Sequence, residues 1–215
     1  MLVLGADASL EEKIDASTRS EGVSCEHLHS ALSCVDRLRR LDIACVIVDR
    51  THAARLFEHL DAELIDAPLV LIGGGVFDSR KVPAPIVASV CRCLDVDFQA
   101  EELQIAIREA VDEARRRLAD RQAVEEYHEG VRSLSAAELR VMQAVCEGKL
   151  NKQIASELGV SIRTVEQRRS RVFSKMSVES AVPLAARRSM VRTIERLRPQ
   201  LAKQVHRVDA AGGAR

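Results

Sequence analysis

Residues 134–176 read LSAAELRVMQAVCEGKLNKQIASELGVSIRTVEQRRSRVFSKM, and three helical patterns follow one another in this stretch. The first begins at Ser135, which precedes Glu138 by three residues. This spacing is typical of a capping box, in which the serine hydroxyl accepts from a free backbone N–H and the glutamate reaches back to the serine N–H. An apolar stripe follows, and glycine commonly ends a helix. The pattern therefore predicts a capped helix that ends at Gly148.

The second and third patterns are separated by a tight turn. Ile154 and Leu158 lie at helical spacing in a short helix over 151–158. Gly159 permits a left-handed turn directly after this helix, and Ser161 is a favourable N-cap for the next one. Two helices joined by a glycine-containing turn form a helix-turn-helix, which this stretch is therefore predicted to contain.

The third helix has an apolar and a polar face. At about 100° per residue, the apolar face consists of Ile162, Val165, Val172 and Met176. The opposite face consists of Arg163, Glu166, Gln167, Ser170, Arg171 and Ser174. Such a polar and partly cationic face fits the major groove, where glutamine can pair with adenine and glutamate can accept from cytosine. We therefore predict that this helix recognises double-stranded DNA; the alternative is an ordinary solvated helix face.

A fourth helix is predicted from about Ala181 to Leu197. Pro183 fits its first turn, where a missing N–H costs little. The positions expected to face inward are Leu184, Val191, Ile194 and Leu197. A helix at this place is not needed to read DNA and can instead serve as a dimer face.

The charge of the chain is divided unevenly. The 215 residues carry 32 Lys and Arg against 32 Asp and Glu, so the formal net charge is zero. Residues 1–130, however, carry 15 basic and 25 acidic residues, a net charge of −10, whereas residues 131–215 carry 17 basic and 7 acidic residues, a net charge of +10. A basic half of this kind favours nucleic acid as a partner. Aromatic residues make up only 2% of the chain, which disfavours stacking of single-stranded bases.

The acidic half alternates short apolar runs with helical patterns. The strand-like runs are Leu2–Leu4, a weak one near Gly22–Cys25, Cys45–Val48, Leu69–Ile72 and a weaker one from Ile86–Val90 to Leu94. Continuous apolar strands separated by helices are typical of a parallel sheet that is covered on both faces. We expect an α/β domain with five strands in a doubly wound order.

The last helix of this domain leads into a charged segment rich in Ala, Arg and Glu. Its apolar face contains Ile107, Val111, Ala114 and Leu118. This face could continue as a helical stalk and pair with a second chain, or it could pack only on its own sheet. The pattern is shorter than the three or four heptads typical of a coiled coil, so both alternatives stay open.

Residues 134–176 resemble the four-helix DNA-binding domain of LuxR/FixJ/NarL-type transcription regulators. The positions that match the family pattern are Leu134, Glu138, Gly148, Asn151, Lys152, Ile154, Ala155, Leu158, Ser161, Thr164, Val165 and Lys175. The family often has Lys in place of Glu166 and His in place of Arg168, so its target sequences do not carry over to this chain.

The resemblance also assigns roles on the DNA-binding face. It implies phosphate contacts by Lys152, Thr164 and Lys175. It implies base-facing positions for Glu166, Gln167 and Ser170. Together with the polar face of the third helix, the predicted DNA-binding residues are Lys152, Arg163, Thr164, Glu166, Gln167, Arg168, Ser170, Arg171 and Lys175.

With this C-terminal domain, residues 1–118 resemble the receiver domain of a response regulator in the order and spacing of their elements. The resemblance implies a flavodoxin-like (βα)5 fold. It also implies what a working receiver requires: a Mg²⁺-binding acidic pair after strand one, an acceptor aspartate after strand three, Thr or Ser after strand four and Lys after strand five. The metal neutralises the charge that builds up during phosphoryl transfer. Asp49 matches the acceptor position.

The other groups of a working receiver are missing from their places. The acidic pair falls on Gly5-Ala6, or at best on Ala6-Asp7. Gly73 stands at the Thr/Ser position and Val96 at the Lys position. A lone carboxylate is poorly equipped for phosphoryl transfer, which depends on charge stabilisation. We therefore predict a pseudo-receiver that works without phosphorylation of Asp49; an Asp49 that is still phosphorylated is the alternative.

A ligand or redox sensor is a further class of function. Gly73–Gly75 follow a strand, but no Lys-Ser/Thr comes after them, so they form no P-loop. Cys91 and Cys93 flank Arg92, and a cysteine sensor needs an exposed thiolate of low pKa. An enzyme is not expected, because the chain has no Ser-His-Asp order, no nucleotide fingerprint and no metal cluster. Neither a cofactor nor a metal is expected.

The expected domain plan combines an α/β and an all-α part. It comprises a receiver-like domain over 1–118, a helical linker over 119–133, a helix-turn-helix domain over 134–198 and a flexible tail over 199–215. The chain shows no signal-peptide core and no run of roughly 18 apolar residues, so we expect a cytoplasmic protein without membrane contact. Its expected partners are double-stranded DNA, a second copy of the chain and a partner protein at the receiver-like domain.

Overall fold

A computed structural model of the chain describes residues 1–39, 43–60, 66–73 and 82–198. The chain divides into two compact units, Met1–Leu118 and Ala119–Arg215. The tail predicted over 199–215 and the glycines at 74 and 75 lie outside the described residues. No helix in the described ranges combines the length and the apolar character that crossing a membrane requires.

The first unit contains a five-stranded parallel sheet. Its elements are β1 Leu2–Leu4, α1 Ala8–Ser20, β2 Glu26–Leu28, α2 Ala31–Leu38, β3 Val46–Asp49, α3 Arg50–His59, β4 Leu69–Ile72, α4 Ala84–Val87, β5 Val90–Leu94 and α5 Ala100–Arg132, whose last part belongs to the second unit. The strand order is β2-β1-β3-β4-β5, and every pairing is parallel. This order is that of the flavodoxin-like fold, as predicted.

The alternation of side chains along the strands builds two cores. In β3, Val46 and Val48 face a cluster with Leu56 of α3 and Ile86 of α4. Ile47 between them faces the opposite cluster, with residues of α1 and α5. Successive strand residues point to opposite faces, so both faces of the sheet are buried and its strands are apolar throughout. The helices on both faces explain why β1 and β4 were recognisable as continuous apolar runs.

Two strand predictions were wrong at their boundaries. β2 begins at Glu26 and not at Gly22, because Gly22 has φ 67° and lies in the turn that ends α1, where its N–H donates to Arg19 O at 3.3 Å. The predicted run from Ile86 is helical at first, since Pro83 starts α4, and the strand begins only at Val90.

The second unit is all-α. After the end of α5, its helices are α6 Ala136–Cys146, α7 Asn151–Leu158, α8 Ile162–Lys175 and α9 Ala181–Leu197. Their core contains Val141, Ile154, Val165, Val172 and Leu184, and two residues of α5, Val124 and Tyr127, join it. The charged segment after residue 118 therefore contributes apolar side chains to the core of this unit, although the linker boundaries stay a prediction.

Two positions predicted to face inward do not. Ile162 is 46% exposed and Leu197 is 71% exposed. Ile162 is the first residue of α8 and Leu197 the last of α9. A helix end extends past the last turn that packs on its neighbours, so periodicity alone overestimates the burial of terminal residues.

Candidate DNA-binding face and receiver site

Local capping positions the helices of the second unit. Ser135 and Glu138 form the predicted capping box: the Ser135 N–H donates to Glu138 Oε2 at 2.9 Å, and the Glu138 N–H donates to Ser135 Oγ at 3.3 Å. Gly148 follows α6 with φ 79°. The capping box and the terminating glycine confirm both ends of the helix that the sequence predicted.

The turn between α7 and α8 also follows the prediction. Gly159 adopts the left-handed conformation, with φ 63° and ψ 36°. The Ser161 hydroxyl then accepts from the Thr164 N–H at 3.1 Å and lies 2.8 Å from the Thr164 hydroxyl. This cap starts α8 directly after the turn, so α7 and α8 form a helix-turn-helix.

Helix α8 presents a polar face to solvent. Val165, Val172 and Met176 are buried against the core. All six polar residues predicted on the opposite face are exposed, and so is Lys152 at the start of α7, whereas Arg168 and Thr164 are half-buried. Contact of these side chains with DNA stays a prediction, but the exposed set is available for it.

An arginine outside the predicted set ties the two helices together. Arg169 donates from Nη1 to Asn151 Oδ1 at 2.6 Å, and its guanidinium lies 5.5 Å from the centre of the Phe173 ring. Asn151 is the first residue of α7. Arg169 thus links the start of α7 to α8. Its position at the border of the polar face is the one signal in the sequence that could have indicated this role.

The predicted phosphate contact Lys175 already has protein partners. Its ammonium donates to Glu138 Oε2 and to Ser133 O, both at 2.8 Å. An ammonium has three donors, so one remains for a phosphate. The hydrogen bond from Lys175 and that from the Ser135 backbone lower the pKa of Glu138 to about 2. This contact joins the ends of α8 and α5 to the capping box.

The ion pair of Glu138 predicts a pH dependence. The pKa of Glu138 is lowered in the folded state from about 4.5 to about 2, so its stabilisation is complete above pH 4.5 and is lost as the pH falls towards 2. We expect Glu138→Gln to reduce the loss of stability of the second unit between about pH 5 and about pH 3, measured by urea unfolding followed by amide exchange in α6. Glu157→Gln is the control, because it removes another carboxylate of the same unit, one that pairs with Lys149 on the surface. An equal reduction in both variants would contradict the assignment to Glu138.

In the first unit, Asp49 lies at the carboxyl edge of the sheet. It is the last residue of β3 and also the N-cap of α3, where its Oδ1 accepts from the Thr51 N–H at 2.7 Å and from the Thr51 hydroxyl. Partial burial acts to raise the pKa of Asp49, but the hydrogen bonds from Thr51 and the nearby His52 outweigh it, so the pKa lies below its ordinary value. Asp49 is thus an ionised capping residue.

A histidine lies where an acidic side chain would be needed. Gly5 follows β1 with φ 80°, and a Cβ built on it would lie 2.1 Å from His52 Nδ1 and 2.5 Å from His52 Cγ. His52 Nδ1 is also 3.6 Å from Asp49 Oδ1 and 3.0 Å from the Thr51 hydroxyl. The imidazole therefore occupies the space beside Asp49 that any side chain at residue 5 would enter.

These residues do not fit the Mg²⁺ site of a working receiver. Magnesium prefers oxygen ligands in octahedral geometry, and next to Asp49 the chain places a glycine and an imidazole. Asp7, the nearest acidic residue after β1 in sequence, caps α1 by accepting from the Leu10 N–H at 2.8 Å. Within the described ranges, no three His, Cys, Asp or Glu side chains are grouped to hold a metal ion.

The two cysteines of the sensor alternative lack the low pKa that a thiolate sensor requires. Desolvation by the surrounding protein raises the pKa of both Cys91 and Cys93, which is the opposite of what a thiolate sensor requires. Arg92 between them donates two hydrogen bonds of 2.9 Å to Glu109. Gly73 directly follows β4, and Val96 is exposed after β5.

A receiver-like α/β unit followed by a capped helix-turn-helix with an exposed polar face defines the class of DNA-binding response regulators. The family described as bacterial regulatory proteins, luxR family, matches residues 132–187. The chain is 30% identical over 209 residues to the response regulator protein TodT of Pseudomonas putida, a match that covers 93% of this chain and 86% of TodT.

Further relatives agree with this class. The transcriptional regulatory protein FixJ of Bradyrhizobium diazoefficiens is 26% identical over 199 residues, covering 88% of this chain and 95% of FixJ. The solved structure of the response regulator StyR has a TM-score of 0.69 at 26% identity and covers 87% of this chain and 96% of StyR. The chain belongs to the response regulators with a LuxR-type DNA-binding domain, and it is a DNA-binding transcription regulator of the two-component type.

Proposed function

We propose that this regulator binds specific DNA sequences through α8 and that its receiver unit works without phosphorylation of Asp49. The proposed DNA contacts are Lys152, Arg163, Thr164, Glu166, Gln167, Arg168, Ser170, Arg171 and Lys175. The net charge of +10 over residues 131–215 supports attraction to phosphates. The exposed polar face of α8 supports contact with base edges in the major groove.

The observation that carries the second part of the proposal is the position of His52. Phosphoryl transfer needs a metal ion and cationic groups to stabilise the charge on the transferred group. Beside Asp49, the imidazole of His52 takes the space over Gly5, and Asp49 itself caps α3. A phosphoryl group on Asp49 would have to break this cap and, among the residues that the structure describes, would meet no acidic pair that could bring Mg²⁺.

A titration with a phosphoryl analogue tests the proposal. The full chain is bound to a DNA duplex selected from a random pool, and its affinity is measured with Mg²⁺ and beryllofluoride over a range of concentrations. We expect no change in affinity or in oligomeric state, because the analogue needs the same metal and acceptor groups as phosphate. Asp49→Asn, which cannot take the analogue, is the matched control and should behave like the parent.

Two results would contradict the proposal, each in a different part. A Mg²⁺-dependent gain in DNA affinity that disappears in Asp49→Asn would overturn the phosphorylation-independent part of the proposal and would leave DNA binding intact. Failure of the chain to enrich any duplex from the pool would instead overturn the DNA-binding part.

A homodimer and a partner protein at the receiver unit complete the proposal. Apolar residues exposed on α9 support the homodimer: Val182, Met190 and Leu197 fall within about 80° of one another around the helix at 100° per residue. The proposed stalk receives less support from α5, because Ile107 and Val111 are buried against the sheet of their own unit. Without phosphorylation, a partner protein that binds the receiver unit would supply the input signal.

A further inference from the structure

An apolar side chain is exposed at the start of α7. Leu150 is 69% exposed. Its N–H donates to Gln153 Oε1 at 2.8 Å, and its carbonyl accepts from the Ile154 N–H at 3.0 Å. Hydrogen bonds fix both the N–H and the carbonyl of Leu150, so the backbone position from which its side chain projects is fixed. A single exposed leucine is common on protein surfaces and does not by itself indicate a function. The residues around Leu150 are the ones that suggest a role for it.

Leu150 borders the face that is proposed to read bases. It lines a depression of about 620 Å³ together with Asn151, Glu166, Arg169, Ser170, Phe173 and Glu179. Glu166 and Ser170 are proposed base-facing residues. The contacts of Arg169 with Asn151 and Phe173 hold the start of α7 against α8. The apolar side chain of Leu150 therefore lies beside polar side chains that can hydrogen-bond to base edges.

The geometry of α8 places this depression at the flank of the polar face. At 100° per residue, Glu166, Ser170 and Phe173 form one stripe along the helix. Ser174, near the centre of the polar face, lies about 80° around the helix from Glu166 and about 100° from Phe173, but only about 40° from Ser170. If Ser170 contacts one base pair, the adjacent base pair would therefore lie near the depression and near Leu150.

We propose that Leu150 is a specificity-determining residue that contacts the methyl group of a thymine at the edge of the bound site. This inference rests on the proposed DNA-binding face of α8. The C5-methyl of thymine is the one apolar group that base pairs present in the major groove. A DNA duplex is favoured as the occupant of this surface by two observations. Residues 131–215 carry a net charge of +10, and Arg163 and Arg171 are exposed on α8.

Replacement of thymine by deoxyuridine tests this contact, because it removes the methyl group and nothing else. The probe is the duplex that the full chain selects from a random pool, with each thymine replaced in turn. We expect one thymine at which the parent chain loses about fourfold in affinity, as for one methyl group no longer removed from water. At this thymine, Leu150→Ala should lose nothing on replacement, because its contact is already gone.

Leu32→Ala is the matched control, since it makes the same substitution at a leucine that is 59% exposed on α2, outside the proposed DNA-binding and dimer faces. It should respond to deoxyuridine like the parent. If every replacement has the same effect in the parent and in Leu150→Ala, the thymine contact is refuted while DNA binding stands. If no duplex is enriched, the proposed DNA-binding face fails, and the contact fails with it.

Discussion

Replacement of Arg117 by Met is expected to lower the free energy of unfolding of the first unit by about 3 kcal/mol, because it removes a buried guanidinium and leaves the carbonyl and hydroxyl groups that it binds without this donor. The Arg117 side chain is 8% exposed, and its Nε donates to Glu113 Oε1 at 2.8 Å. Its Nη1 donates to Asp66 O at 3.1 Å and to Ser89 Oγ at 3.3 Å, and its Nη2 donates to Ala88 O at 3.3 Å.

These acceptors explain the size of the effect. Asp66 precedes β4, and Ala88 and Ser89 precede β5, so one guanidinium on α5 binds the segments that lead into two neighbouring strands. Methionine keeps the apolar stem but donates no hydrogen bond. A buried carbonyl or hydroxyl that loses its donor costs about 1–3 kcal/mol. Urea unfolding followed by amide exchange in β4 and β5 measures the stability of this unit separately.

The neighbouring arginine provides a matched control. Arg116 donates to the other oxygen of the same glutamate, Glu113 Oε2, at 3.1 Å, but its side chain is 69% exposed. Arg116→Met should cost no more than about 1 kcal/mol, since exposed ion pairs contribute little. Equal losses in the two variants would contradict the role of burial at Arg117.

The second large effect is expected on DNA binding. Gln167→Ala removes a side chain that can pair bidentately with adenine, and such a pair discriminates against the wrong base by about 1–3 kcal/mol. We therefore expect Gln167→Ala to lose preference at one base pair by roughly tenfold or more. Binding of the full chain to duplexes with every substitution of the selected site measures this preference.

Lys152→Ala should behave differently on the same duplexes. A lysine that contacts a phosphate attracts every sequence equally and releases a counterion on binding. We expect weaker binding to all duplexes and a slope of log K against log salt that is smaller by about 1. Gln143→Ala, on the exposed side of α6 and outside the proposed set, is the control. If neither Gln167→Ala nor Lys152→Ala differs from this control, the proposed DNA-binding face on α7 and α8 is wrong.

Local signals were sufficient for most of the second unit. The capping box at Ser135, the left-handed Gly159 and the bounds of α7 follow from interactions between residues a few positions apart. In the first unit, β1 and β4 were predictable for another reason, because a strand buried on both faces is apolar throughout. β2 was misplaced, since it lies at the edge of the sheet, is only half-buried and carries no continuous apolar run.

The candidate sites depend on contacts between residues that are far apart in the chain. The sequence by itself determined that Asp49 ends a strand, that residue 5 is a glycine and that α8 has a polar face. Only the tertiary structure decided that His52 fills the space over Gly5, that Lys175 binds Glu138 and that Arg169 holds Asn151. Periodicity specifies the face on which a side chain lies, but its partner on another element depends on how those elements pack.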